Sequence, residues 1–195
     1  MRIIAGANRG TRLAAPKGAD TRPTADRARE SLFAILEGGR VARADGRLPV
    51  AGATVLDAFA GTGALGLEAL SRRADRAIFI ENDRPALAAL KRNIEHCHAH
   101  DRATVLGRDA LHPPPAGVPC DLVFLDPPYG QGLAGQALAA LDGAGWVAPD
   151  ALVVVQCHPK DALDPPAGYT ILETRTVGAA RFEFLRPRPG TGTSG

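Results

Sequence analysis

Cysteine is scarce in this sequence of 195 residues: Cys97, Cys120 and Cys157 are the full complement. They form no CxxC pair and no even-numbered framework, which argues against a disulfide scaffold and points to a reducing cytoplasm. No apolar run approaches the roughly 18–20 residues needed to cross a bilayer. The opening Met1-Arg2-Ile3-Ile4-Ala5-Gly6 reads as too short, and too polar downstream, for a signal peptide. Internal periods and long low-complexity tracts are also missing, so no repeat array is expected. What remains is an ordinary globular composition, 45% hydrophobic and 23% charged, sized for one compact domain with a modest extension.

Net charge is only +2, but it is unevenly placed. Residues 1–47 carry ten Lys and Arg against five Asp and Glu, and the rest carries thirteen against sixteen. A basic front on a mildly acidic body fits a polyanion-binding arm on a catalytic domain, or else a merely solvated arm.

The arm reads as two short strands, Arg2–Ala5 and about Thr11–Ala15, around the turn-rich Gly6–Gly10. A helix follows from Asp26 to about Glu37, with Thr24 as its N-cap. Ala28, Leu32, Phe33, Ile35 and Leu36 fall on one face, and Gly38-Gly39 ends it. Residues 40–52 read as a loose connection. Strand and helix then alternate: strands at Thr54–Phe59, Ala77–Glu81, Ala103–Leu106, Asp121–Leu125 and Leu152–Gln156, and helices at Gly63–Ser71, Pro85–His98 and Leu133–Leu141. A final strand pair, Thr170–Thr176 and Arg181–Leu185, turns at Gly178. This pattern predicts a doubly wound α/β fold, mostly parallel, with helices on both faces and an antiparallel terminal hairpin. The expected organisation is a basic extension at 1–47, a catalytic domain at 48–186 and a disordered tail at 187–195.

Gly61-Thr62-Gly63-Ala64-Leu65-Gly66 matches GxGxxG between a strand and a helix, and Glu81 follows where a ribose-binding acid belongs. Those features alone fit an NAD-dependent dehydrogenase. Asp57, four residues before Gly61, argues against it: a carboxylate at that strand end repels a pyrophosphate but attracts the ammonium and sulfonium of S-adenosylmethionine. Glu81 has a fork of acceptors for both ribose hydroxyls. Asp109, just past the third strand, is a candidate acceptor for the adenine amino group.

Asp126-Pro127-Pro128-Tyr129 follows the apolar strand Leu122–Leu125. The two prolines stiffen the backbone and remove two N–H donors. Free carbonyls are left beside a fixed carboxylate and an aromatic ring. An exocyclic amine on a nucleobase is a poor nucleophile because its lone pair is delocalised. Acceptors at Asp126 and the Pro127 carbonyl draw it toward sp³ geometry, aiming the lone pair at the methyl group. Tyr129 would stack on the base, which must leave its helix or come from a loop.

Taken together, these residues resemble the Rossmann-type methyltransferases, and specifically the bacterial small-subunit rRNA guanine-N2 methyltransferases (the RsmD family). The likeness runs through Arg2-Ile3-Ile4-Ala5-Gly6, Arg9-Gly10, Arg22-Pro23-Thr24 to Phe33, Leu56–Gly66 and Phe124–Tyr129. It implies a guanine in 16S rRNA as substrate, seven strands with the last antiparallel, and an N-terminal hairpin touching RNA. The cofactor set expected is Asp57, Phe59, Gly61, Thr62 and Gly63 from the first turn, with Glu81, Asn82, Asp109, Ala110 and Asp126. Asp126, Pro127 and Tyr129 are the catalytic candidates. Arg9, Arg12 and Arg22 are the RNA-binding candidates, though Arg22 and Thr24 are equally placed to close the cofactor pocket. The Asp-Pro-Pro motif also occurs in adenine-N6 methyltransferases, so adenine N6 in DNA or RNA is the alternative. A non-catalytic RNA-binding module would have no use for three acids at adjoining strand ends. One departure stands out: relatives often carry an acid after the fifth strand, where this chain has Gln156-Cys157-His158. The expected partner is rRNA or a small-subunit assembly particle, met by a cytoplasmic monomer.

Other features read as bland. His96-Cys97-His98-Ala99-His100 invites a metal only if the helix persists, and a solvated helix end is preferred; no metal is expected. Cys120 and Cys157 read as small buried hydrophobes, and Arg181 as a surface residue of the last hairpin.

Overall fold

The computed structural model describes residues 1–16, 23–128, 130–159, 161 and 163–188, with the side chains of 23–25 excepted. Seven strands form one sheet: β1 (Thr54–Ala58), β2 (Arg76–Ile80), β3 (Ala103–Leu106), β4 (Cys120–Leu125), β5 (Val147–Cys157), β6 (Tyr169–Val177) and β7 (Ala180–Pro187). Their order is β3-β2-β1-β4-β5-β7-β6. Strands β1 to β5 pair in parallel, and β7 inserts antiparallel between β5 and β6. The helices are α1 (Pro23–Glu37), α2 (Ala64–Ser71), α3 (Arg84–His96) and α4 (Leu133–Gly143).

Alternation along the buried strands feeds two cores, because successive side chains point to opposite faces. Val55, Phe79, Leu122 and Phe124 pack on one face with Leu32, Phe33 and Leu36 of α1, Leu67 and Leu70 of α2, and Leu90 and Ile94 of α3. Leu56, Ile80, Val123 and Val153 pack on the other with Leu138 and Leu141 of α4 and with Trp146. The predicted two-sided α/β architecture with an antiparallel last strand is the one observed. Strand β5 is longer than expected, beginning at Val147, and β7 runs on to Pro187 rather than ending before the tail. Residues 189–195, the rest of the expected disordered tail, lie outside the described residues.

The arm departs from expectation in a way the chemistry explains. In place of two strands there is one antiparallel bridge, Arg2 to Arg12, flanked by Ile3 N–H to the Thr11 carbonyl and Gly10 N–H to the Ile3 carbonyl, both at 2.9 Å. Beyond it the backbone finds side-chain partners on the main domain. Glu68, wholly buried on α2, accepts the Ile4 N–H at 2.8 Å and the Ala5 N–H at 3.0 Å. Asn93, wholly buried on α3, accepts the Ala14 N–H at 2.6 Å and donates to the Ala14 carbonyl at 3.0 Å. A ladder cannot extend where its donors are already taken. Gly6 presses so closely on α2 that a Cβ there would lie 1.8 Å from the Ser71 carbonyl oxygen. Helix α1 begins at Pro23, so Thr24 is inside its first turn rather than its cap. Proline suits that position because its missing N–H has no partner there in any case. The Phe33 ring meets Phe124 of β4 at 5.8 Å, beneath Arg72 at 4.9 Å. The basic arm is thereby packed into the same core as the sheet.

Glu68 also takes Arg72 Nε at 2.8 Å and lies 3.8 Å from Arg29 Nε. Removing one partner from such a buried set strands the others. Glu68→Ala is therefore expected to lower stability by about 3–5 kcal/mol in urea unfolding, and to release the Ile4 and Ala5 amides to rapid hydrogen exchange. Unchanged protection at those two amides would count against Glu68 as the arm's anchor.

Candidate active site

Strand order reverses between β1 and β4, where open α/β sheets leave a crevice at the carboxyl ends of their strands. Here the crevice holds about 460 Å³ and is lined by Phe59 after β1, Glu81, Asn82 and Asp83 after β2, Asp126, Pro127 and Pro128 after β4, and Gln156 of β5. Three of those residues are carboxylates, and none is a lysine or arginine.

The turn after β1 is left-handed for most of its length: Phe59 has φ 58°, Gly61 φ 55° and Gly63 φ 77°. Phe59, lacking glycine's freedom, is held there at a local cost of about 1–3 kcal/mol. Space above Gly61 is open within 4 Å, as a ligand cradle requires, whereas a Cβ on Gly66 would meet the Phe79 ring at 2.4 Å. The first glycine thus serves approach from outside, and the last serves packing of α2 on β2. Glu81 ties the parts together. Its Oε2 accepts the Gly61 N–H at 2.7 Å, and its Oε1 accepts the Asn82 and Asp83 N–H groups at 2.8 Å each. Asn93 donates to the Thr62 carbonyl at 2.9 Å, so the residue that clamps the arm also clamps this turn.

Asp57 does not face the crevice as expected. It is 1% exposed, accepts the Gly66 N–H at 2.8 Å, and is not among the crevice-lining residues. Burial lifts its carboxyl to about 8, with the negative charges of Asp126 and Glu81 adding to the shift and the Gly66 bond opposing it. Burial also lifts Asp126 to about 7. Backbone N–H groups bond Asp57 and Glu81, and no lysine or arginine is among the described lining residues, so these acids favour an incoming cation and disfavour a pyrophosphate. That electrostatic fit admits S-adenosylmethionine and speaks against the dinucleotide alternative.

Asp109 and Ala110 stand apart from the crevice lining. Asp109 accepts the Leu111 N–H at 2.9 Å and faces His112 Nδ1 at 3.1 Å, which together hold its carboxyl below the usual carboxylate range. Ala110 is buried. Tyr129 and Arg22 lie outside the described residues, as does the Thr24 side chain. Arg9 and Arg12 are exposed, and Arg9 borders a recess of about 450 Å³ with Arg2, Arg27, Asp26 and Glu30. Sequence reasoning passed over Asp83, Pro128 and Gln156 as lining residues. Position at a strand's carboxyl end was the available signal for all three.

Cys120 and Cys157 are buried, as expected, and Cys97 is buried too. Helix α3 stops at His96, with His98 at φ 49° and His100 in a separate 3-10 turn, so the shared histidine face does not form. Among the described residues no group of His, Cys, Asp and Glu is arranged to hold a metal ion, and no helix is long and apolar enough to cross a membrane. Arg181 is not a free surface residue: it pairs with Glu183 and donates to the Pro159 carbonyl at 3.2 Å.

The chain is similar to known proteins along most of its length. A family model described as conserved hypothetical protein 95 matches residues 1–186. Ribosomal RNA small subunit methyltransferase D of Haemophilus influenzae is 35% identical over 191 residues, covering 95% of this chain and 93% of that one. The solved structure of the yhhF protein from Escherichia coli superimposes with a TM-score of 0.80 at 35% identity, over 96% of this chain and 98% of the other. Magnesium protoporphyrin IX methyltransferase from Synechocystis, solved with bound SAM, shares the fold at a TM-score of 0.63 and 17% identity, over 85% and 80% of the two chains. This chain belongs to the conserved hypothetical protein 95 family of Rossmann-like methyltransferases, the family of the small-subunit ribosomal RNA methyltransferases D.

Proposed function

We propose that this protein transfers a methyl group from S-adenosylmethionine to the exocyclic N2 amine of a guanine in 16S rRNA of the small ribosomal subunit, acting as a monomer in the cytoplasm. The observation that carries the reading is an acid-lined crevice at the sheet's switch point, with no lysine or arginine among its described lining residues and with Asp126-Pro127 on its wall. The name of the Haemophilus influenzae relative supplies the RNA.

In this reading Glu81 takes the ribose hydroxyls and Phe59 and Asn82 flank the adenosine, while Asp109 and Ala110, just past β3 and outside the crevice lining, meet only its outer edge. Gly61, Thr62 and Gly63 offer backbone to the amino acid portion. Asp57 acts from beneath, holding α2 at Gly66 and adding negative charge below the turn. When bound, S-adenosylmethionine supplies an electrophilic methyl group to the amine lone pair, the S–C bonding electrons staying on sulfur. Asp126 and the Pro127 carbonyl accept the two amine hydrogens and turn the lone pair out of conjugation. Asp126, with its carboxyl near neutrality, is suited to take the proton the nitrogen sheds. Tyr129 stacks on the base. Residues 1–47 form the RNA-contacting arm through Arg9, Arg12 and Arg22, and 48–186 form the catalytic domain.

Asp126→Ala is expected to slow transfer by about 10²–10³-fold or more, with S-adenosylhomocysteine affinity largely kept by calorimetry. Near-normal turnover would end the proposed chemistry. Nucleoside mass spectrometry of rRNA from a deletion strain should show loss of a single N2-methylguanosine.

A pH signature follows from the raised carboxyls. Both sit above their unfolded value of about 4, so the stability they contribute is full below that pH and is lost as pH rises through about 7 and 8. A cationic ligand favours the ionised forms, so its affinity moves the other way. S-adenosylmethionine should bind more tightly as pH rises from about 6 to 9, and S-adenosylhomocysteine, lacking the sulfonium charge, should gain less. Asp57→Asn should flatten the difference; equal slopes for the two ligands in the wild type would contradict the electrostatic account.

For the arm, Arg9→Ala with Arg12→Ala should weaken RNA binding and reduce the slope of log K against log salt by up to about 2. An unaltered slope removes these two residues from the RNA surface.

A further inference from the structure

A second crevice adjoins the first and shares with it Pro127, Pro128 and Gln156. Its volume is about 580 Å³, within the roughly 300–1,000 Å³ of small-ligand sites. Pro127, Pro128, Leu133, Leu163, Pro165 and Pro166 give it apolar lining. The segment carrying those last three is pressed onto α4 at Gly135, where a Cβ would lie 2.8 Å from the Asp164 carbonyl oxygen. Among the described lining residues there is no lysine or arginine. Apolar walls and no cation suit the faces of a base and not a phosphate.

The polar groups on the lining are acceptor-biased. Asp161 lines the crevice, and its Oδ2 accepts the Gly130 N–H at 3.2 Å, immediately beyond the Asp126–Tyr129 segment. A carboxylate accepts only, and this separates the bases by their Watson–Crick edges. Guanine offers an N1–H beside its N2 amine. Adenine N1 and cytosine N3 are lone-pair acceptors that a carboxylate repels, and uracil sets its one N–H between two carbonyls.

We infer that this second crevice receives the target guanine and that Asp161 selects it by accepting its N1–H, which leaves both N2 hydrogens to Asp126 and the Pro127 carbonyl. The inference rests on the methyltransferase reading above and names the residue that chooses the base. Asp161 is a specificity-determining residue; the transfer itself stays with the other crevice. Because Asp161 also holds the Gly130 N–H, selection of the base and placement of Gly130 are joined through one carboxylate.

The test uses reconstituted small-subunit particles in which the guanine that loses its methyl group in the deletion strain, located by mass spectrometry of RNase fragments, is retained or replaced, by RNA ligation, with 2-aminopurine. That analogue keeps the N2 amine but presents a bare N1 acceptor. The wild type should methylate guanine at least about tenfold faster than 2-aminopurine, because a site built to hydrogen-bond a group rejects the analogue lacking it. Asp161→Asn, whose amide can donate to N1, should slow guanine and speed 2-aminopurine, bringing the ratio near or below one. Its S-adenosylhomocysteine affinity should match the wild type and so show an intact fold. A variant that slows both substrates equally, or keeps the wild-type ratio, overturns the role of Asp161. Failure of the wild type to methylate guanine at all overturns the methyltransferase reading instead, and with it this one.

Discussion

Three carboxylates brought together by parallel strand pairing set the terms for the rest of this molecule. Asp57, Glu81 and Asp126 lie on or just past three neighbouring strands, in register because β1 pairs with both β2 and β4. Backbone N–H groups satisfy Asp57 and Glu81, and burial raises Asp57 and Asp126 toward neutrality. A site of this kind is under electrostatic tension until positive charge enters it. The left-handed turn at Phe59–Gly63, the close packing at Gly66 and the double prolines all shape the space in which that charge is received.

The arm is tied to this site by buried polar side chains rather than by a sheet. Glu68 fastens Ile4 and Ala5 to α2, and Asn93 fastens Ala14 to α3 while also holding the Thr62 carbonyl. One side chain therefore touches both the segment assigned to RNA and the turn assigned to the cofactor. Such fully buried groups are stable only when every donor and acceptor is matched. That requirement keeps the arm in one position against the domain.

Much of the architecture could be read from local pattern. Strand and helix alternation set the sheet, and glycines set the stops of α1 and the β6–β7 turn. Periodicity correctly placed Leu32, Phe33 and Leu36 in the core. The arm's strands were misread because Ile4, Ala5 and Ala14 look like any short extended run. Only the distant Glu68 and Asn93 divert their hydrogen bonds. The fate of His96 and His100 turned on where α3 ended, which depends on the backbone at His98.

The sequence by itself determined the chemistry: an acid before a glycine turn, a second acid after β2, and an Asp-Pro-Pro segment at a strand end, because those residue types act through properties they carry anywhere. Tertiary structure alone decided which of them meet. It placed Asp57 beneath the turn rather than in the crevice, and brought Gln156 and Asp161 to the edges of the Asp-Pro-Pro segment from some 30 residues away. Burial, and with it the raised carboxyls, is a property of what surrounds a group. No stretch of chain contains its own surroundings.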